Sequence, residues 1–191
     1  MILAEHTLLP IIDARFSPRA FLSSPLPEGT VELLFTAAGK SASGGNSQPW
    51  RFIYAQKDKN PEAFAKLAET LTGNNRLWAP SAPVLVAAIA QEETPEGRKI
   101  GAAHYDLGQA MAWLTVQATA LGLFVHQMGG FDKVALREAF AIPNAFAPIT
   151  VAAIGYIGRP DSLPADLHQK ELVRSTRKPL LQIAGDGVFP V

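Results

Sequence analysis

Val31, Leu34, Phe35 and Ala38 recur at i, i+3, i+4 and i+7, a spacing that predicts a helix capped by Thr30 and ended by Gly39. A polar stretch over 41–49 leads to a short predicted strand over 51–55. Asn60 and Pro61 form a helix-start pair: the Asn side chain can accept a free first-turn N–H, and Pro at the first helical position gives up no bond. That helix is predicted to run to about residue 71. Residues 84–90 are apolar without alternation, the pattern of a strand covered on both faces. The longest helical pattern covers 101–121, where Leu107, Gly108, Met111, Leu114, Thr115, Ala118 and Leu121 recur at three and four residues before Gly122. A strand over 124–128, a helix capped by Asp132 and ending near Phe140, and a strand over 149–157 follow. From Arg159 the chain is Pro-rich and polar and reads as a segment wrapping the surface. Strands alternating with helices suggest, by pattern alone, an α/β fold with a parallel sheet.

The length, 191 residues, fits a single domain over 1–191, and no repeat or composition shift divides it. Lys and Arg number 17 and so do Asp and Glu, so the formal charge is zero, which argues against binding nucleic acid by bulk charge. A 48% hydrophobic and 18% charged composition excludes a disordered chain and suggests apolar surface covered by a partner subunit. The absence of Cys removes disulfides, thiolate metal sites and thiol nucleophiles. The longest apolar run, 82–90, is about half a membrane span. Residues 1–16 carry Glu5 and lack a basic leader and cleavage site, so the expectation is a cytoplasmic protein with no membrane partner.

Several familiar signatures fail on inspection. Gly39-Lys40-Ser41 resembles the end of a phosphate-binding loop, but the required upstream glycine position holds Leu34. The histidines, His6, His104, His126 and His168, have no metal-ligand spacing. Ser43, His126 and Asp132 could be drawn as a hydrolase triad, but Ser43 lies in S-A-S-G-G and not G-x-S-x-G. Three segments remain. Arg15-Phe16-Ser17-Pro18-Arg19 places two guanidiniums and a hydroxyl together, a donor set suited to phosphate. Residues 43–50, S-G-G-N-S-Q-P-W, combine glycines that admit close backbone approach with Asn and Gln donors and acceptors. Residues 128–132, M-G-G-F-D, form a strand end running into a helix start. Taken singly, each also reads as plain structure: a charged segment, a turn with Trp50 as core, and a capped turn.

In order and spacing the three segments match one family. The chain resembles the nitroreductase family of FMN oxidoreductases: Arg15, Ser17 and Arg19 match its R-x-S-x-R/K stretch, and residues 43–52 match its N-S-Q-P-W-x-F signature. Asn74 and Asn75 before Ala82-Pro83-Val84-Leu85, the long central helix, Gly129 to Asp132, and Arg177-Lys178-Pro179-Leu180 complete the resemblance. It implies an α+β fold with a mixed, mostly antiparallel sheet flanked by helices, replacing the parallel sheet suggested by pattern. It also implies a homodimer with a long central interface helix and FMN at the subunit interface. Carried over by position, Arg15, Ser17 and Arg177 would hold the phosphate and ribityl end, and Arg19 would lie near flavin N1 and O2. Ser43, Gly44 and Asn46 would come from the partner chain, with Gln48 beside them. Gly129 and Gly130 would face N5 and O4, and Asn74 or Asn75 the pyrimidine edge.

The implied activity is ping-pong hydride transfer from NAD(P)H through the flavin to a small-molecule acceptor such as a nitroaromatic or quinone. The alternatives are a flavin-storage protein, or a specialised flavin dehydrogenase or flavin-fragmenting enzyme on the same scaffold. Two departures stand out: Phe16 sits where many members carry a second base, and Ser175 where some carry another, so Arg174 would have to reach in. Gly129 leaves the site beside N5 without a side chain, and the C-terminal arm beyond Arg177 is short. Trp78, Trp113 and Phe124 are candidate walls of the site, each also readable as core.

Overall fold

The computed structural model describes residues 7–190; His6 and the start of the N-terminal stretch lie outside them. In strand β2 (Val84–Gln91) the two-residue period sends Val84, Val86, Ala88 and Ala90 to one face and Leu85, Ala87 and Ile89 to the other, and both sets are buried. The unbroken apolar run is therefore the mark of a central strand with helices on both sides. Around it stand β1 (Trp50–Gln56), β3 (Phe124–Met128) and β4 (Phe146–Gly155), in the order β1-β2-β4-β3.

Every hydrogen-bonded neighbour in this sheet is antiparallel. The α+β expectation holds, and the parallel sheet inferred from alternation does not. Alternation fails as a guide because direction depends on where a connection returns. Gln56 at the end of β1 pairs with Val84 at the start of β2, so the intervening chain leaves and re-enters at the same end. That excursion carries α3 (Pro61–Glu69) and α4 (Asn75–Trp78). Alternate strands therefore share a direction, β1 with β4 and β2 with β3, and α5 (Ala103–Ala120) links β2 to β3. Along β4 the pairing steps from Ala88↔Thr150 to Ile89↔Pro148, leaving Ile149 as a bulge beside a proline that has no N–H to give the ladder.

One face of the sheet is covered by α2 (Thr30–Ala38), through Val31, Leu34 and Ala38, and by α5, through Leu107, Ala110, Met111, Leu114 and Ala118. The other is covered by Phe64 and Leu67 of α3, Trp78 of α4, Leu136 of α6 (Lys133–Ala139) and Leu167 of α7 (Ala165–Leu172). The local signals behave as expected at two starts: the Asn60 side chain accepts from Ala63 N–H, and Asp132 accepts from Val134 and Ala135 N–H. Thr30 is instead the first helical residue, with Gly29 at φ 77° before it. The segment after Arg159 is not wholly irregular: it contains α7, which anchors to the core at Leu167. A short helix, α1 (Pro10–Ala14), precedes the arginine segment. Among the described residues no helix is long and apolar enough to cross a membrane.

Candidate functional site

The residues after α1 run extended across the end of β3 and are fixed from two directions. Strand β3 contributes His126, whose Nδ1 donates to the Pro18 carbonyl at 2.7 Å. The end of α7 contributes Glu171, whose carboxylate accepts from Arg19 N–H at 2.9 and 3.0 Å and from Ala20 N–H at 3.2 Å. Its side chain is 7% exposed, and the Arg19 guanidinium stands 3.8 Å away. With the backbone clamped in this way, the side chains of Arg15, Ser17 and Arg19 line the space beside it.

That space is a cleft of about 820 Å³, bordered by Arg15, Ser17, Arg19, Lys170, Arg174 and Arg177, with Asp13 and Glu171 as its carboxylates. The cations outnumber the anions. Arg15 Nη1 reaches Ser17 Oγ at 3.4 Å. Burial, and next the charge of Arg177, push the Arg15 guanidinium below its ordinary value. Two arginines that repel each other beside a hydroxyl form a receptor for an anion, since a phosphate between them replaces repulsion with charge-assisted hydrogen bonds. The donor set thus fits the phosphate end of a flavin mononucleotide. His126 borders the same cleft; burial above all holds its pKa below the usual 6.5, with Arg19 adding to that effect and the Pro18 carbonyl and Glu171 opposing it.

The 43–48 turn is built differently. Gly44 N–H donates to Asp106 Oδ2 at 3.0 Å, and Gln48 N–H donates to Ser43 Oγ at 3.0 Å. Asp106, in the first turn of α5, is buried, so the turn is tethered to that helix. Gly45, Asn46 and Gln48 all have positive φ, an unusual concentration for which glycine and asparagine are suited and glutamine is not. The turn borders another cleft, of about 610 Å³, with residues 94–102. Within one chain, Ser43, Gly44, Asn46 and Gln48 are therefore not gathered with Arg15, Ser17 and Arg177.

Asn74 is exposed and borders a shallow cleft that shares Lys170 and Val173 with the arginine cleft, so the two adjoin along α7. Asn75 Nδ2 donates to the Gly130 carbonyl at 3.0 Å. A Cβ on Gly130 would come within 2.7 Å of that nitrogen, whereas Gly129 faces open space. Gly130 is thus a packing glycine and Gly129 a clear one. Of the candidate walls, Trp78 is core, its ring 4.4 Å from that of His126, while Trp113 is half-exposed on α5. Phe124 meets Phe16 edge-on at 4.7 Å, and the Arg174 guanidinium lies 3.9 Å over the Phe16 ring.

No hydrolase triad forms. Ser43 Oγ holds Gln48, Asp132 caps α6, and His126 Nδ1 is committed to Pro18. Among the described residues no cluster of His, Asp or Glu could hold a metal. Sequence reasoning missed Glu171, Lys170 and Asp106, and assigned no role to His126 beyond the rejected triad. Glu171 carries no motif, and its partners lie 151 and 152 residues away.

The family model described as the Nitroreductase family matches residues 12–156, ending before α7. A solved structure described as an oxidoreductase containing FMN has a TM-score of 0.90 and 36% identity, covering 97% of this chain and 94% of that one. The NADH dehydrogenase of Thermus thermophilus is 28% identical over an alignment of 184 positions, covering 78% of this chain and 88% of its own length. The 5,6-dimethylbenzimidazole synthase of Rhodospirillum rubrum is 27% identical over 167 positions, covering 72% and 76%.

Proposed function

Because the chain belongs to the nitroreductase family, we propose that it is a homodimeric, cytoplasmic, FMN-dependent NAD(P)H oxidoreductase built as one domain over 1–191. The observation that carries this reading is that Arg15, Ser17 and Arg177 border one cleft, with Arg15 Nη1 3.4 Å from Ser17 Oγ. Arg15, Ser17 and Arg177 take the phosphate and ribityl end. Arg19 supplies the cation for the pyrimidine edge, its backbone fixed by Glu171. Asn74 or Asn75 contacts that edge too, and the open space at Gly129, with Gly130 next to it, admits the ring. FMN bound there supplies hydride chemistry at N5, so no protein acid or base is required for the transfer itself.

The second half of the site comes from the partner subunit. Ser43, Gly44, Asn46 and Gln48 lie on a turn that α5 holds through Asp106, and the outer face of α5 presents exposed Tyr105 and Trp113. Burying that face against a second copy brings the turn of one subunit to the arginine cleft of the other. The acceptor is a small molecule such as a nitroaromatic or quinone.

A second reading is a specialised enzyme on the same scaffold that fragments flavin with oxygen and needs no separate organic acceptor; the likeness to a 5,6-dimethylbenzimidazole synthase, a named biosynthetic enzyme and not a general reductase, favours keeping it. Anaerobic titration of the FMN-loaded protein with NADH and NADPH separates the possibilities. Bleaching of the flavin band, reversed by a quinone or nitroaromatic, supports the oxidoreductase. A flavin band that does not return when oxygen is admitted to the reduced protein supports the fragmenting enzyme, since simple reoxidation by oxygen would restore it. Bound flavin that neither nicotinamide reduces points to a storage protein.

A further inference from the structure

Phe16 lies between Arg15 and Ser17 in the chain, and neither Phe16 nor Ser17 carries a charge. Its ring is occupied on two sides. Phe124 of β3 meets it edge-on at 4.7 Å and an interplanar angle of 61°, and the Arg174 guanidinium stands 3.9 Å over it. Phe124 and His126 are two residues apart on β3 and so share a face; the one holds Phe16 and the other the Pro18 carbonyl. From the opposite side Glu171, three residues before Arg174, fixes the backbone of Arg19 and Ala20. The stack is therefore held at both ends.

A guanidinium that rests on an aromatic ring uses its flat face for that contact and keeps its N–H edge for an acceptor. Arg174 borders the cleft together with Arg15, Ser17 and Arg177. We propose that Arg174 is a further phosphate-binding cation and that Phe16 is the positioning residue that aims it, the aromatic ring at 16 recruiting from α7's tail a charge that 16 itself lacks. The inference rests on the FMN reading of this cleft. Its consequence is selectivity: Arg174 favours FMN over riboflavin, which has the same ring and ribityl chain and no phosphate.

The test is titration of FMN and of riboflavin, followed by quenching of flavin fluorescence, against wild type, Arg174→Ala, Phe16→Leu, Phe16→Tyr and the Arg174→Ala/Phe16→Leu double variant. Loss of a charge-assisted bond in Arg174→Ala weakens FMN by about tenfold or more and riboflavin by less than about twofold. Phe16→Leu, which keeps the bulk and loses the ring, weakens FMN by roughly three- to tenfold, and Phe16→Tyr restores wild-type affinity. On the Arg174→Ala background Phe16→Leu adds nothing for FMN, because the ring acts through the guanidinium. An unchanged FMN-to-riboflavin ratio in Arg174→Ala overturns the inference, as do fully additive effects in the double variant. Wild-type protein that binds no FMN overturns the reading beneath it instead.

Discussion

Replacing Glu171 with alanine removes the acceptor for two consecutive backbone N–H groups, those of Arg19 and Ala20, at 2.9 to 3.2 Å. The carboxylate is 7% exposed and Ala20 is fully buried, so the freed Ala20 N–H meets water only if the segment moves. A hydrogen bond to a charged acceptor contributes about 1.5–3 kcal/mol, so two donors set a ceiling of about 6 kcal/mol. The half-exposed guanidinium of Arg19, 3.8 Å from the carboxylate, adds at most about 1 kcal/mol. Relaxation of an extended segment recovers part of the loss, and we expect a net destabilisation of about 3 kcal/mol. For a chain of this length that lowers Tm by roughly 6–12 °C. Glu171→Gln retains one acceptor oxygen without the charge and should lose about half as much. Thermal and guanidinium denaturation followed by circular dichroism measure both. A Glu171→Ala protein that melts within about 2 °C of wild type would refute the clamp, since two unsatisfied N–H groups cannot be that cheap.

The remaining predictions concern other parts of the same frame. The folded-state pKa of His126 is lowered, so as pH falls below 6.5 the unfolded chain takes up a proton before the folded one does. The stability is present above that pH and lost as pH falls through the folded value, and His126→Asn, which can still donate to Pro18, flattens this part of the Tm-against-pH curve. Asp106→Ala frees the Gly44 N–H and destabilises the protein by about 1–3 kcal/mol, with faster hydrogen exchange at the Gly44 amide; Asp106→Asn, which keeps an oxygen acceptor, has the smaller effect. Trp113→Glu places a charge on the exposed apolar face of α5, and sedimentation velocity should find a dimer for wild type and a monomer for the variant.

What was readable in advance divides along a physical line. Asn60 before Pro61, and Asp132 before α6, announced their helices because a cap is a bond between neighbours in sequence. Residues 84–90 announced a doubly covered strand because burial on both faces leaves no polar position. Sheet direction was not readable from the same runs, since helices between strands fit either direction; the return of the chain at Gln56↔Val84 is a tertiary fact. Helix α7 was missed because it docks largely through Leu167, too little for a periodic pattern. The candidate site shows the same division. Arg15, Ser17, Arg19 and Arg177 were found by resemblance, and all border one cleft. Glu171 and His126, which shape the backbone between them, bond across long sequence separations and carry no motif of their own.

The most direct test of the account is the visible absorbance spectrum of the purified protein after incubation with excess FMN and desalting. The arginine cleft predicts retained flavin bands near one FMN per chain, lost together in an Arg15→Ala/Arg177→Ala variant that still folds. A colourless wild-type protein after that treatment would contradict the assignment of the cleft and the proposed function with it.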